Sequence, residues 1–187
     1  SRMRTLRNAY PKSVAAEKSR RIVHALAALP LFTQARSVAL FWPILEINEV
    51  DLRDLDAEAR RAQRAVYYPL VERRQGSTKT GFARVDDPAL LIRRGRVFAE
   101  PPPEAPRAER GDIELILVPA LAVATNGYRL GQGSGFYDMT LPDFRPPARA
   151  IAVAFEFQLV SELPTSDRDV ACDFVLTEAR CIEVAGR

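Results

Sequence analysis

Residues 115–138 read Leu-Ile-Leu-Val-Pro-Ala-Leu-Ala-Val-Ala-Thr-Asn-Gly-Tyr-Arg-Leu-Gly-Gln-Gly-Ser-Gly-Phe-Tyr-Asp. The stretch opens on a short continuous apolar run, Leu115 to Val118, which Pro119 ends. A run apolar on every residue suits a strand buried on both faces, as in a parallel sheet covered by helices. Ligands of such sheets sit beyond the carboxyl ends of the strands. The glycine-rich segment from Gly127 to Asp138 follows one of those ends.

Working outward, Ile151 to Phe155 is a second continuous apolar run, and Ala65 to Val71 is another strand candidate. Ser37 to Trp42 is β-rich and is closed by Pro43. Lys79 to Val85, Asp173 to Thr177 and Cys181 to Val184 carry weaker strand signals. Residues 12–29 place Ala15, Ser19, Ile22, Leu26 and Leu29 on one helical face, with Pro30 as the stop. Asn48 is positioned as an N-cap, with Glu49 and Asp51 in the first turn and Leu52, Leu55, Ala59 and Ala62 continuing the helix. A further helix is expected to begin near Phe136. The Pro-rich run from Glu100 to Pro106 predicts extended loop. Alternating strands and helices predict a single α/β domain over residues 1–187. Its sheet is mostly parallel with helices on both faces, in a Rossmann-like three-layer arrangement.

The chain has 187 residues, a length suited to one core. Its composition, 47% hydrophobic and 27% charged, is that of a globular protein. No apolar run approaches the roughly 20 residues that span a bilayer, and no apolar segment follows the Arg-rich start as a signal peptide requires. Two cysteines, Cys172 and Cys181, are too few for a disulfide framework and predict reduced thiols in a cytoplasmic protein. The one histidine, His24, sits in a helical pattern, so Ser-His-Asp or Cys-His chemistry is hard to build. The net charge of +3 is too small to imply nucleic acid. The basic groups, such as Arg60, Arg61 and Arg64, Arg73 and Arg74, and Arg93, Arg94 and Arg96, read as solvated faces.

Within the glycine-rich segment, Gly131, Gly133 and Gly135 alternate. That spacing lets the backbone turn tightly and aims several N–H groups at one anion. The helix from Phe136 adds its positive end. Arg129 offers a planar guanidinium suited to phosphate oxygens. Asp138 offers an oxygen suited to Mg²⁺, which favours carboxylates combined with substrate phosphates. The pattern is neither a Walker A loop nor a Rossmann fingerprint.

These residues resemble the 5-formyltetrahydrofolate cyclo-ligase family, also called 5,10-methenyltetrahydrofolate synthetase. The family pattern is an apolar strand, Pro, a connector, then Gly-x-Arg-Leu-Gly-x-Gly-x-Gly-Tyr/Phe-Tyr-Asp. Phe41-Trp42, Glu49-Val50-Asp51, Tyr68-Pro69, Ala99-Glu100-Pro101, Ala154-Phe155, Gln158-Leu159-Val160, Leu163-Pro164 and Asp169-Val170 extend the resemblance over most of the chain.

The resemblance implies an ATP- and Mg²⁺-dependent ligase acting on 5-formyltetrahydrofolate, a small-molecule substrate. The expected partners include neither nucleic acid nor membrane, and the expected state is a monomer. It places ATP on Arg4, Arg7, Arg129, Leu130, Gly131, Gln132, Gly133, Ser134, Gly135, Phe136 and Tyr137, with Arg129 and Tyr137 as the catalytic pair. It places Mg²⁺ on Asp138 and Asp169, and the folate on Trp42, Glu49 and Tyr137. The chain departs from the family where Ser134 stands in place of a common Lys, where Val123-Ala124 replaces Phe-Asp, and at Met3, where an N-terminal Lys is common. A non-catalytic folate- or nucleotide-binding regulator of the same fold is the alternative reading.

Overall fold

The computed structural model describes residues 2–74, 76–93 and 99–185; Arg94 and Arg96 lie outside the described residues. The elements in chain order are α1 (Arg2–Ala9), α2 (Lys12–Ala28), α3 (Pro30–Thr33), β1 (Ser37–Ala39), α4 (Arg53–Arg61), β2 (Ala65–Arg74), β3 (Ser77–Arg84), β4 (Ile92–Arg93), β5 (Ala99–Glu100), β6 (Leu115–Pro119), β7 (Ala122–Ala124), β8 (Arg129–Leu130), α5 (Phe136–Phe144), β9 (Arg149–Val153), β10 (Leu159–Val160), β11 (Phe174–Leu176) and β12 (Cys181–Glu183).

Seven strands form the main sheet in the order β12-β11-β9-β6-β1-β2-β3. The inner pairings, β11 with β9, β9 with β6, β6 with β1 and β1 with β2, are parallel. The outer pairings, β12 on β11 and β3 on β2, are antiparallel. The apolar runs explain the layering. Side chains alternate across a strand, so Leu115 and Leu117 face one core while Ile116 and Val118 face the other. Ile151 and Val153 likewise oppose Ala150 and Ala152. The first core takes Ile22 and Leu26 of α2, Phe32 of α3, and Leu55 and Ala59 of α4. The second takes Phe136, Leu141 and Phe144 of α5. The expected three-layer α/β arrangement is therefore present.

Several expectations need correction. Pro30 does not simply end the long helix: Leu29 is extended, and Pro30 starts the short helix α3. The helix expected from Asn48 begins at Arg53, so Glu49 and Asp51 precede it. Asn48 instead follows a 3₁₀ turn, Leu45–Ile47, in the left-handed region at φ 53°. Its amide donates to the carbonyl oxygens of Arg7 and Tyr10, at 2.7 and 2.8 Å. Those carbonyls lie at the end of α1, where no intrahelical donor remains. Asn48 thus caps a different helix from the one its position suggests. Helix α1 itself has no apolar stripe to announce it.

Candidate functional site

The site lies where the parallel strands end. After β6 the chain forms a small hairpin, β7 against β8, and β10 joins β7 on its other side. Gly127, between β7 and β8, has φ 84°, and a Cβ there would meet the Cys172 carbonyl oxygen at 2.4 Å. The Gly127 carbonyl accepts from the Cys172 amide at 2.9 Å. Any side chain at 127 would push apart the two segments that this bond joins.

Further along, Gly133 and Gly135 are also left-handed, at φ 104° and 64°. Gly131 needs no such conformation. A Cβ at 131, 133 or 135 would meet nothing within 4 Å, so this backbone is open to the cavity. Gly135 is the N-cap of α5. The first-turn N–H groups and the positive end of the helix therefore lie next to the loop.

Opposite this backbone lies a strap, residues 169–172. Arg129 holds it: one guanidinium nitrogen donates to the Val170 carbonyl, and the other pairs with Asp138 at 3.0 Å. The Val170 amide donates to the same Asp138 oxygen, also at 3.0 Å. The Arg129 side chain is only 4% exposed and sits 5.7 Å from the Tyr137 ring centre. Asp169 accepts from the amide and hydroxyl of Ser166, at 2.6 and 3.0 Å, which tightens the turn before the strap.

Glu49 enters from the other side. Its carboxylate accepts from the Ile44 amide at 2.9 Å and from the Gln132 side chain at 3.4 Å. Burial pushes the Glu49 carboxyl above its usual range, against the opposing pull of the Ile44 N–H and the Arg7 charge. Arg7 of α1 is 2% exposed, and its Nε and Nη2 have no hydrogen-bond partner among the described residues. Burial pulls its guanidinium below its ordinary value, and Glu49 pulls the other way. The Tyr137 hydroxyl is also buried without a partner among the described residues. Burial, and then the Glu49 charge, push it upward. A buried donor with nothing to meet costs about 1–3 kcal/mol, more when charged.

The cavity has two lobes. The smaller, about 300 Å³, is walled by the 129–138 segment, by Pro119 to Leu121, and by Arg7, Glu49 and Asp169. The larger, about 660 Å³, is walled by Ile44, Ile47, Val71 and Met139, by Thr78 and Thr80, and by Arg4 and Arg73. Arg7, Gln132, Ser134 and Phe136 line both and mark the junction.

Most residues expected from the sequence therefore converge. Arg7, Glu49, Asp138, Asp169 and all of 129–137 line the smaller lobe. Arg4 lines only the larger lobe and is exposed. Trp42 lines neither lobe: its ring packs edge-on against Tyr68 at 6.2 Å, beside the first core. Sequence reasoning missed Ile44, Val71 and Met139 as cavity walls, and no signal marked them, because they come together only through folding. It also missed the strap amides. The Ser134 position carries no cation, but Arg7 lines the same junction.

The residues fit a divalent cation bound together with phosphates. Asp138 and Asp169 both face the loop lobe. Among the described residues no group of three or more His, Cys, Asp or Glu side chains is placed to hold a metal by itself. Mg²⁺ commonly uses one or two carboxylates and takes its remaining oxygens from substrate and water.

A family model described as the 5-formyltetrahydrofolate cyclo-ligase family matches residues 1–178. A 5-formyltetrahydrofolate cyclo-ligase of Mycolicibacterium smegmatis is 35% identical over 156 residues, covering 83% of this chain and 74% of that protein. The Escherichia coli K12 protein of the same name is 23% identical over 188 residues, covering 97% and 99%. Among solved structures, the 5,10-methenyltetrahydrofolate synthetase of Aquifex aeolicus superposes with a TM-score of 0.83 at 30% identity, covering 100% of this chain and 91% of that one. The fold is shared with a Mycoplasma pneumoniae 5,10-methenyltetrahydrofolate synthetase, with a TM-score of 0.75 and 23% identity over 95% and 94% of the two chains.

Proposed function

This chain belongs to the 5-formyltetrahydrofolate cyclo-ligase family, and we propose from its geometry how its own residues share the work. The protein is an ATP-dependent ligase that converts 5-formyltetrahydrofolate to 5,10-methenyltetrahydrofolate. The alternative of a non-catalytic regulator is set aside by these comparisons, because the relatives are named as enzymes.

In the proposed mechanism the ATP phosphates lie along the Gly131–Gly135 backbone and the first turn of α5. The folate pterin presents its N–H edge to Glu49. The junction of the two lobes, at Arg7, Gln132, Ser134 and Phe136, is where the terminal phosphate meets the formyl group. The formyl oxygen attacks that phosphate and ADP leaves. N10 of the folate then attacks the activated formyl carbon, its proton is lost, and the C–O bond to phosphate breaks. Nothing in this sequence needs a thiol or an imidazole. Phosphoryl transfer depends mainly on positioning and on neutralising the phosphate oxygens.

The roles follow from the contacts. Arg7 is a buried cation with two free donors at the junction, suited to the transferring phosphate. The Tyr137 hydroxyl is a further donor without a partner among the described residues, suited to the folate or the formyl oxygen. Arg129 already has two partners, so it acts by holding Asp138 and the strap in place. Asp138 and Asp169 would hold Mg²⁺, which supplies charge neutralisation to the phosphates when bound. The single observation that carries this assignment is the convergence in one lobe of an open glycine backbone, a buried arginine with no partner at Nε and Nη2 among the described residues, and the half-buried Glu49 carboxylate. Protein incubated with 5-formyltetrahydrofolate, Mg²⁺ and ATP should show the absorbance of the methenyl product with equal ADP formation. Neither signal should appear without Mg²⁺ or without ATP.

We further propose a monomeric single domain over residues 1–187, working in the cytoplasm without nucleic-acid or membrane partners. Two unpaired cysteines and the modest charge support this reading. Among the described residues no helix is long and apolar enough to cross a membrane. Light scattering of the purified protein tests the monomer: a mass near 20.9 kDa is expected.

A further inference from the structure

Helix α1 brings Arg7 to the junction of the two lobes, yet its own sequence supplies little to dock it. Arg7 is the one buried residue of the helix, and Leu6 stands 46% exposed. Helices in folded proteins are normally held by an apolar face. Here the hold comes from the turn before α4. The buried Asn48 amide donates to the carbonyl of Arg7 itself and to that of Tyr10. Just past the helix, Lys12 Nζ donates back to the Leu45 and Glu46 carbonyls of the same turn, at 2.5 and 3.0 Å. The Tyr10 ring stacks on Phe157 at 4.6 Å. Asn48 is followed by Glu49, whose charge acts on the Arg7 guanidinium. Two consecutive residues thus grip Arg7 at both ends, one by its carbonyl and the other by its charge.

We propose that Asn48 is a positioning residue for phosphoryl transfer: it seats α1 so that Arg7 meets the transferring phosphate. Asn48 lines neither lobe, so it acts only through Arg7. The inference rests on the reading of Arg7 as the cation for that phosphate. A buried guanidinium with open donors gains by turning out to water. A helix with no apolar stripe offers little resistance to that turn. The two hydrogen bonds from Asn48 oppose it. Asn48 sits in the left-handed region at φ 53°, which Asn enters more readily than most residues, so the amide is presented there with little strain.

The test is a double-mutant cycle. Asn48→Gly keeps the left-handed backbone and removes the amide. Its kcat/KM for ATP should fall about 10-fold, the scale of one or two lost hydrogen bonds. In the Arg7→Gln background the same change should cost less than about 2-fold, because the group it seats is gone. Asn48→Asp turns an acceptor oxygen toward two carbonyls. It should lose more than Asn48→Gly in the unmodified background and again little beside Arg7→Gln. Lys12→Met, at an exposed position that leaves the core intact, should show the same pattern at about 3-fold. Equal losses in both backgrounds would overturn the inference and make Asn48 a cap for the fold alone. So would full turnover in both Asn48 variants. Failure of the underlying reading looks different: Arg7→Gln by itself would leave kcat/KM for ATP unchanged, and the proposal would fall with it.

Discussion

The two arginines that line the smaller lobe are both almost fully buried, yet their surroundings differ. Arg129 spends its guanidinium on Asp138 and the Val170 carbonyl, with the Tyr137 ring alongside. Arg7 is equally buried but leaves Nε and Nη2 without partners among the described residues. In the free protein the charges of the wall made by α5 and the strap are paired through Arg129 and Asp138. The wall made by α1 carries a buried guanidinium whose Nε and Nη2 have no hydrogen-bond partner among the described residues, with the Glu49 charge as its partial counterweight. Buried unpaired charge is destabilising, so the second wall gains more from an arriving anion than the first.

The sharpest challenge to that contrast is Arg7→Gln. It should cut kcat/KM with ATP by about 10²–10³-fold, the range expected for a lost charge-stabilising donor. Its melting temperature should hold or rise, because an unpaired buried charge has been removed. A fall in melting temperature parallel to the loss of turnover would make Arg7 a structural residue like Arg129.

Gly127→Ala tests the finished wall. The left-handed backbone strain and the approach to the Cys172 carbonyl should together cost at least about 3 kcal/mol in denaturant unfolding. Gly131→Ala, with open space around its Cβ, should leave unfolding unchanged while weakening ATP binding. Equal effects from the two glycines would erase the distinction between a joining glycine and an open one.

Glu49 gives a pH prediction. Its carboxyl is raised in the folded state, so the folded protein holds this proton more tightly than the unfolded chain. The stability it contributes is present at low pH and lost as pH rises from the ordinary carboxyl range through the raised value. Glu49→Gln should flatten that part of the unfolding profile and leave stability at pH 7 no lower. It should also raise KM for the folate by about 10-fold. A stability loss at pH 7 would show that the carboxylate serves the fold. The smallest expected effect is that of Trp42→Phe. With the ring packed on Tyr68 and outside both lobes, turnover should change by less than about 2-fold, with any penalty falling on stability.

What the sequence revealed follows the same divide. The parallel strands and the start of α5 were legible because apolar runs and a glycine-to-helix transition are local signals. The residues of the 129–138 segment were legible for the same reason. Helix α1 was not, since its sequence is polar and charged and its packing comes from Arg7, not from an apolar stripe. Asn48 misled because its capping amide serves a helix far earlier in the chain. The β7–β8 hairpin was missed because Ala122–Ala124 is short and finds β10 only through long-range pairing. Trp42 was placed on the folate by the family resemblance, while the fold turned it onto Tyr68.

The strap has a consequence for the modularity of this loop. The Cys172 amide closes on Gly127, and the Val170 amide and carbonyl close on Asp138 and Arg129. The shape of the glycine loop is thus written partly in residues that lie well outside it. A transplant of residues 115–145 into another scaffold would carry every glycine of the pattern and still lack the braces that hold them. Exchange of this loop between relatives is therefore expected to succeed only as a pair, with the strap travelling alongside.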